Sequence, residues 1–282
     1  MGSSSSQPPK TVSLLGVPFD ANSSYLRGPA EAPARIREAL HCDASNMWTE
    51  DGVDLGRAGT FHDAGDLTVP EEPEAAARAI EEGVGRALAA GHPLISLGGD
   101  HSVTYPVLRA FHQKFGQFSV LHFDAHPDLY HDLGGRLSHA CPFARVMEEK
   151  LASRLVQVGI RTLNSHQFEQ AKRFGVEMHT MRDMSRLSTL ELSGPVYISF
   201  DIDVLDPAFV PGISHYEPGG MSVRDVLNVI QGLRVPVIGA DIVEYNPRRD
   251  YHTQSAMVCA KILKEITAAI FRAGNAPAKD WY

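Results

Sequence analysis

Cysteine is scarce in this chain: three residues in 282, Cys42, Cys141 and Cys259. They are too few for a disulfide framework and too widely spaced for a CxxC metal site, so a reducing compartment, the cytoplasm, is the expected setting. Long apolar runs are missing as well. None approaches the ~20 residues that a membrane-spanning helix requires. The opening Met1-Gly2-Ser3-Ser4-Ser5-Ser6-Gln7-Pro8-Pro9 lacks the apolar centre of a secretory signal. Residues 1–10 are expected to be a disordered tail ahead of a single domain over 11–282. Basic charge is also short: 26 Lys and Arg stand against 34 Asp and Glu, a net charge of −8 with the signs interspersed. That balance argues against nucleic acid or an anionic membrane as partner and suits a small cationic substrate. Low-complexity linkers and internal repeats are absent too, so nothing marks a boundary inside the chain.

What is present is an ordinary globular composition, 43% hydrophobic and 21% charged. Short apolar runs rich in β-formers predict strands over 12–17, 94–97, 118–123, 154–160, 196–200 and 235–243. A helix is predicted over 73–90, where Ala76, Ile80, Val84 and Leu88 recur every four positions. Others are predicted over 105–114, 165–174, 223–232 and 255–272, and one over 32–40 carries Pro33 near its first turn, where proline is tolerated. The stretch 41–72 is irregular apart from a short strand near Thr60-Phe61-His62. Strands alternating with helices imply an α/β fold whose mainly parallel sheet is covered on both faces. Ligands of such sheets collect beyond the C-terminal ends of the strands, and the polar clusters of this chain fall there.

The densest cluster follows the strand 118–123: Asp124, His126 and Asp128, at positions i, i+2 and i+4. An extended backbone would point all three to one side. Two carboxylates and an imidazole aimed at one point call for a cation among them. Ile198-Ser199-Phe200-Asp201-Ile202-Asp203 repeats the pattern, with both acids expected on one side of a strand and the apolar residues on the other. His101 emerges from Gly98-Gly99-Asp100-His101-Ser102, where two glycines permit a tight turn directly after a buried strand. Alone, His101 reads more readily as a capping or surface residue, whereas Asp201 and Asp203 favour metal over a polar strand end before the Asp206-Pro207 turn. Together His101, Asp124, His126, Asp128, Asp201 and Asp203 offer four carboxylates and two imidazoles, which would balance two divalent cations. The oxygen-rich set suits Mn2+ better than Zn2+. Two such ions ~3.5–4 Å apart can hold a water as hydroxide near neutral pH, which is hydrolase chemistry. His139, in Ser138-His139-Ala140-Cys141-Pro142, has the pKa range of a proton carrier. Glu244, at the end of the strand over 235–243, could grip a planar cation in two parallel hydrogen bonds; a salt bridge to Arg248 or Arg249 is the competing reading.

Gly98-Gly99-Asp100-His101-Ser102, Asp124-Ala125-His126-Pro127-Asp128 and Ser199-Phe200-Asp201-Ile202-Asp203-Val204-Leu205-Asp206-Pro207 resemble the three signature motifs of the ureohydrolase family, which includes arginases, agmatinases and related guanidino hydrolases. The resemblance covers nearly all of the chain from Val12 onward. It is strongest to the plant-type arginase branch, in Asp124 to Tyr130, Ser138-His139-Ala140, Val158-Gly159-Ile160-Arg161 and Glu244-Tyr245-Asn246-Pro247.

The resemblance implies a three-layer α/β/α sandwich with an eight-stranded sheet, assembled as homotrimers or homohexamers. It implies one Mn2+ held by His101, Asp124, Asp128 and Asp201, and a second by His126, Asp124, Asp201 and Asp203, with Ni2+ or Co2+ as substitutes. Asp128 would orient the nucleophile, His139 would shuttle protons and Glu244 would bind the substrate guanidinium. Arginine would give urea and ornithine, agmatine would give urea and putrescine, and guanidinobutyrate is a further candidate. At the far end of the substrate the chain departs from animal arginases, which carry an asparagine where Tyr130 stands and an acid where Asn164 stands. Plant-type arginases share the tyrosine. Two rival chemistries are attack by Cys141 as a thiol nucleophile beside His139, and deacylation by a single Zn2+ on the same architecture.

Overall fold

The computed structural model describes residues 11–184 and 190–272; the expected tail over 1–10 lies outside them. In chain order its elements are β1 (Val12–Gly16), α1 (Ala32–His41), β2 (Phe61–Asp66), α2 (Pro73–Leu88), β3 (Leu94–Leu97), α3 (Thr104–Phe115), β4 (Ser119–Phe123), α4 (Pro142–Glu148), β5 (Arg154–Ile160), α5 (Ser165–Phe174), β6 (Glu177–Thr180), β7 (Val196–Asp201), α6 (Val223–Gly232), β8 (Val237–Val243) and α7 (Gln254–Arg272). The strands form one eight-stranded sheet in the order β2-β1-β3-β8-β7-β4-β5-β6. Every pairing within it is parallel. Helical crossovers cover both faces, as a parallel sheet requires.

Side chains alternate across the pleat into two apolar layers. In β4, Leu121 and Phe123 pack with Ile36 of α1, Ile230 of α6 and Ile266 of α7. Val120, on the opposite face of the strand, packs with Ile80 of α2, Phe111 of α3 and Phe143 of α4. In β7, Ile198 and Phe200 join the first layer and Tyr197 the second. All of these are essentially sealed from solvent, and each contributes roughly 1.5–3 kcal/mol of transfer free energy.

The predicted helices and central strands form within a residue or two of their expected limits. The strand expected from 235 begins instead at Val237, because Pro236 has no N–H to donate to the ladder. Two elements have no counterpart in the sequence reading. α4 is short, and β6 is an outer strand, Glu177-Met178-His179-Thr180, that carries no apolar run. Both exist because a neighbour supplies their pairing or packing, not because their own residues demand it.

Candidate active site

Four adjacent strands in the middle of the sheet, β3, β8, β7 and β4, end at one edge and deliver the polar clusters there. After β3 the chain turns through Gly98 and Gly99. A Cβ at Gly99 would lie 1.6 Å from the Phe19 carbonyl oxygen, so no other residue fits without moving the backbone. The turn is locked by Asp100 N–H donating to Phe19 O and Glu244 N–H donating to Gly99 O, each at 2.9 Å. His101 then opens a short 3-10 turn, fully buried.

The convergence of the acids differs from the strand alternation expected of them. β4 stops at Phe123, and Asp124–Asp128 leaves extended geometry, with Asp128 at φ 51°. β7 stops at Asp201, and Asp203 lies in a 3-10 turn over Ile202–Val204. Loop geometry, not the pleat, brings these carboxylates together. Glu244, just past β8, also sits at positive φ, 63°. Left-handed backbone at two non-glycine residues costs about 1–3 kcal/mol each, and such strain concentrates where side chains must be aimed.

His101 Nδ1 lies 3.2 Å from Asp124 Oδ2, 3.1 Å from Asp128 Oδ2 and 3.1 Å from Asp201 Oδ2. His126 Nδ1 lies 3.3 Å from Asp124 Oδ1 and 3.0 Å from Asp203 Oδ2. The two oxygens of Asp124 thus face one imidazole each. Ala125 N–H donates to Asp203 Oδ1 at 3.0 Å and Asp203 N–H to Asp201 Oδ1 at 2.8 Å, which fixes both carboxylates. All six residues predicted as metal ligands therefore come together in one cluster.

The donor set fits cations on an independent ground. Asp241 accepts from Tyr197 OH, Thr104 Oγ1, Ser199 Oγ and Phe200 N–H. Ser199 spends its only hydroxyl hydrogen on Asp241, so its oxygen accepts from His101 Nε2 at 3.1 Å. With one proton on Nε2, Nδ1 faces three carboxylates and meets none in hydrogen-bonding geometry among the described residues; against the effect of burial, those acids hold the ring pKa well above its usual value. The site therefore calls for positive charge at Nδ1, which either a proton or a metal ion supplies.

The acids register the same crowding. Burial, with Asp203 and Asp124, drives the Asp201 carboxyl well above its usual range, and burial with Asp124 raises Asp128. Burial opposes the charge of Asp124 as well, yet the surrounding imidazoles, His122 first, hold it well below the ordinary value. Ligand atoms of Asp124, His126 and Asp203, and of His101, His122 and Asp124, lie close enough to hold metal.

His139 and Glu244 meet beside this cluster. His139 Nδ1 is 2.9 Å from Glu244 Oε1, and the same oxygen accepts the His101 backbone N–H at 2.8 Å. The Glu244 pairing is therefore with His139, and Arg248 instead pairs with Glu31. Burial pulls the His139 imidazole down, but the Glu244 carboxylate outweighs it and raises the ring to about 9. On its other side, His139 Nε2 lies 2.8 Å from Ser24 Oγ. Tyr130 and Asn164 stand further out, joined by an Asn164 Nδ2 to Tyr130 OH hydrogen bond of 2.8 Å. A cavity of about 290 Å³ opens over all of these, lined also by Leu133, Thr162, Leu163, Gln167 and His215. Cys141 is buried, and burial pushes its thiol up to about 11, which keeps it protonated.

Several neighbours escaped the sequence reading. Ser24 and His215 lie on irregular segments with no local signal. His122 and Gln157 did carry one: each is a polar residue in the middle of an otherwise apolar strand.

A parallel α/β sheet carries a histidine–carboxylate cage able to hold metal at its central strand ends, with the buried Glu244–His139 pair beside it. The arginase family's sequence profile matches residues 10–269. Arginase 1, mitochondrial, of Arabidopsis thaliana is 48% identical over 92% of this chain and 81% of its own length. The solved arginase of Medicago truncatula superposes with a TM-score of 0.86 at 44% identity, over 93% of this chain and 87% of that one. The agmatinase of Bacillus subtilis is 35% identical over 90% of this chain and 89% of its own. The chain belongs to the arginase family, and it is a ureohydrolase, acting on C–N bonds of linear amidines.

Proposed function

We propose that the protein is a dinuclear manganese hydrolase that splits a guanidino compound into urea and an amine, with arginine the leading substrate. The reading rests on one observation above others. Two imidazoles turn Nδ1 toward a shared set of carboxylates, and Asp124 offers one oxygen to each. His101, Asp124, Asp128 and Asp201 would hold one ion, and His126, Asp124, Asp201 and Asp203 the other. When bound, the pair would acidify a water held between them and so supply a nucleophile near neutral pH.

The remaining steps belong to the chain. Glu244 would receive the substrate guanidinium on Oε2, since Oε1 is committed to His101 N–H and His139. This would hold the guanidinium beside the cage, against a carboxylate whose other oxygen stays hydrogen-bonded to His139. Asp128 would accept the proton released as the nucleophile adds and pass it to the departing amine. His139, with Ser24 at its outer nitrogen, would carry the next proton between cavity and solvent. Tyr130 and Asn164 would meet the distal end of the substrate. Similarity to plant arginases at 48% against 35% for an agmatinase supports arginine over agmatine.

Chelated and Mn2+-loaded protein should be incubated with arginine, agmatine, guanidinobutyrate and guanidinoacetate and urea measured. Metal-dependent release, fastest from arginine, is expected; none from any of them would overturn the proposal. Ni2+ and Co2+ are the substitutes to compare. Assembly as a homotrimer or homohexamer is part of the same proposal, and sedimentation tests it. A cytoplasmic location is proposed as well; the Arabidopsis relative is named mitochondrial, and cell fractionation distinguishes the two.

A further inference from the structure

We infer that His122, held in a single tautomer by Gln157, is a positioning residue that fixes the shared carboxylate Asp124, an inference that rests on the metal-centre reading above. His122 lies inside β4 and Gln157 inside β5, paired in register across the ladder, and both are fully buried. Their chemistry can be followed atom by atom. The Pro127 carbonyl can only accept, so the Gln157 group 2.7 Å from it must be the amide nitrogen. That same nitrogen lies 3.0 Å from His122 Nδ1. As both hydrogens of the amide are donated, His122 Nδ1 accepts, and the ring hydrogen sits on Nε2. Nε2–H in turn donates to Asp124 Oδ2 at 2.7 Å.

This orientation leaves Gln157 Oε1 buried without a hydrogen-bond partner among the described residues. The amide is thus held in this orientation by the Pro127 carbonyl and the histidine, with its own oxygen left unpaired. Phe143 lies against the His122 ring at 3.9 Å between centroids and closes off other rotamers.

The consequence lies in the geometry of Asp124. Its Oδ1 is fixed by the His126 N–H at 2.5 Å and its Oδ2 by His122. The carboxylate therefore cannot rotate to chelate one ion with both oxygens, and it offers one to each side of the cage. Groups that orient a metal ligand in this way commonly change metal affinity about 10–100-fold when removed.

The test uses the full chain. In metal-free protein, nitrogen-15 NMR of the imidazoles should show the proton of the neutral His122 ring on Nε2; an Nδ1–H tautomer would overturn the inference. Calorimetric titration with Mn2+ follows. His122→Phe keeps the ring stacking on Phe143 but cannot donate, and should weaken Mn2+ binding about 10–100-fold. His122→Gln, whose amide can donate, should recover part of that loss. Gln157→Leu should mix the tautomers and weaken binding about 3–10-fold, a smaller loss because the ring itself remains. If His122→Phe fails to fold, the Gln157→Leu pair of readouts decides. Wild-type affinity in a folded variant overturns the inference. Wild-type protein that binds no Mn2+ overturns the metal-centre reading instead, and the tautomer measurement then decides the hydrogen bond on its own.

Discussion

Glu244 joins three parts of the site in one carboxylate: the His101 backbone, the His139 ring and the substrate cavity. Its conversion to glutamine should lower kcat/KM by about 100-fold or more, roughly 3 kcal/mol, because a charge-assisted contact to the guanidinium is lost. Turnover within a few-fold of wild type would remove it from the mechanism. The same change isolates His139. In metal-free protein its imidazole should titrate near pH 9, and NMR should show this value falling once Glu244 is neutral. Because the folded pKa is raised, the pair's contribution to stability is complete below the ordinary histidine value of about 6.5. It is lost as pH rises through about 9. Cys141 gives the opposing control. Its buried, protonated thiol predicts that Cys141→Ser keeps kcat within about two-fold and that thiol reagents do not inactivate; a loss beyond ten-fold would restore the thiol mechanism.

The turns after β3, β4 and β8 are as specific as the side chains they carry. Gly99→Ala places a methyl against the Phe19 carbonyl at 1.6 Å. The backbone must shift and take His101 with it, so a fall in melting temperature and weakened Mn2+ binding are expected together. Gly85, exposed within α2, has open space around its missing Cβ. Gly85→Ala should stabilise by roughly 0.5–1 kcal/mol without touching activity, because glycine inside a helix loses more backbone entropy. Equal effects from both substitutions would show that close packing at Gly99 is not what matters. The glycine pair was legible in sequence as a turn, since nothing else in that stretch permits one. The left-handed bend at Asp128 was not, because an aspartate has no local need for it and adopts it only when the surrounding site holds it there.

For the whole molecule, a cage of four carboxylates and two imidazoles that takes up metal would couple its binding to stability. On the proposed reading, Mn2+ in excess would bind the folded chain far better than the unfolded one. At about 100 times its dissociation constant it should add roughly 2.7 kcal/mol, seen as a higher melting temperature that a chelator reverses. A melting temperature indifferent to Mn2+ and chelator would contradict the cage. The net charge of −8 sets only a background attraction for cations. The specific coupling comes from where the sheet places its strand ends.

The sequence alone determined the alternation of strands and helices and picked out the six residues that cluster, because each rests on local chemistry: apolar runs, helical periods, and acids beside imidazoles at the ends of buried strands. Only the tertiary structure decided the strand order. β8, from the far end of the chain, inserts between β3 and β7, and that insertion carries Glu244 to His101 and His139. It also decided β6 and α4, the left-handed bends at Asp128 and Glu244, and the pairing of His122 with Gln157. Each of these depends on contacts between segments distant in sequence, whose free energy exists only once the sheet has formed.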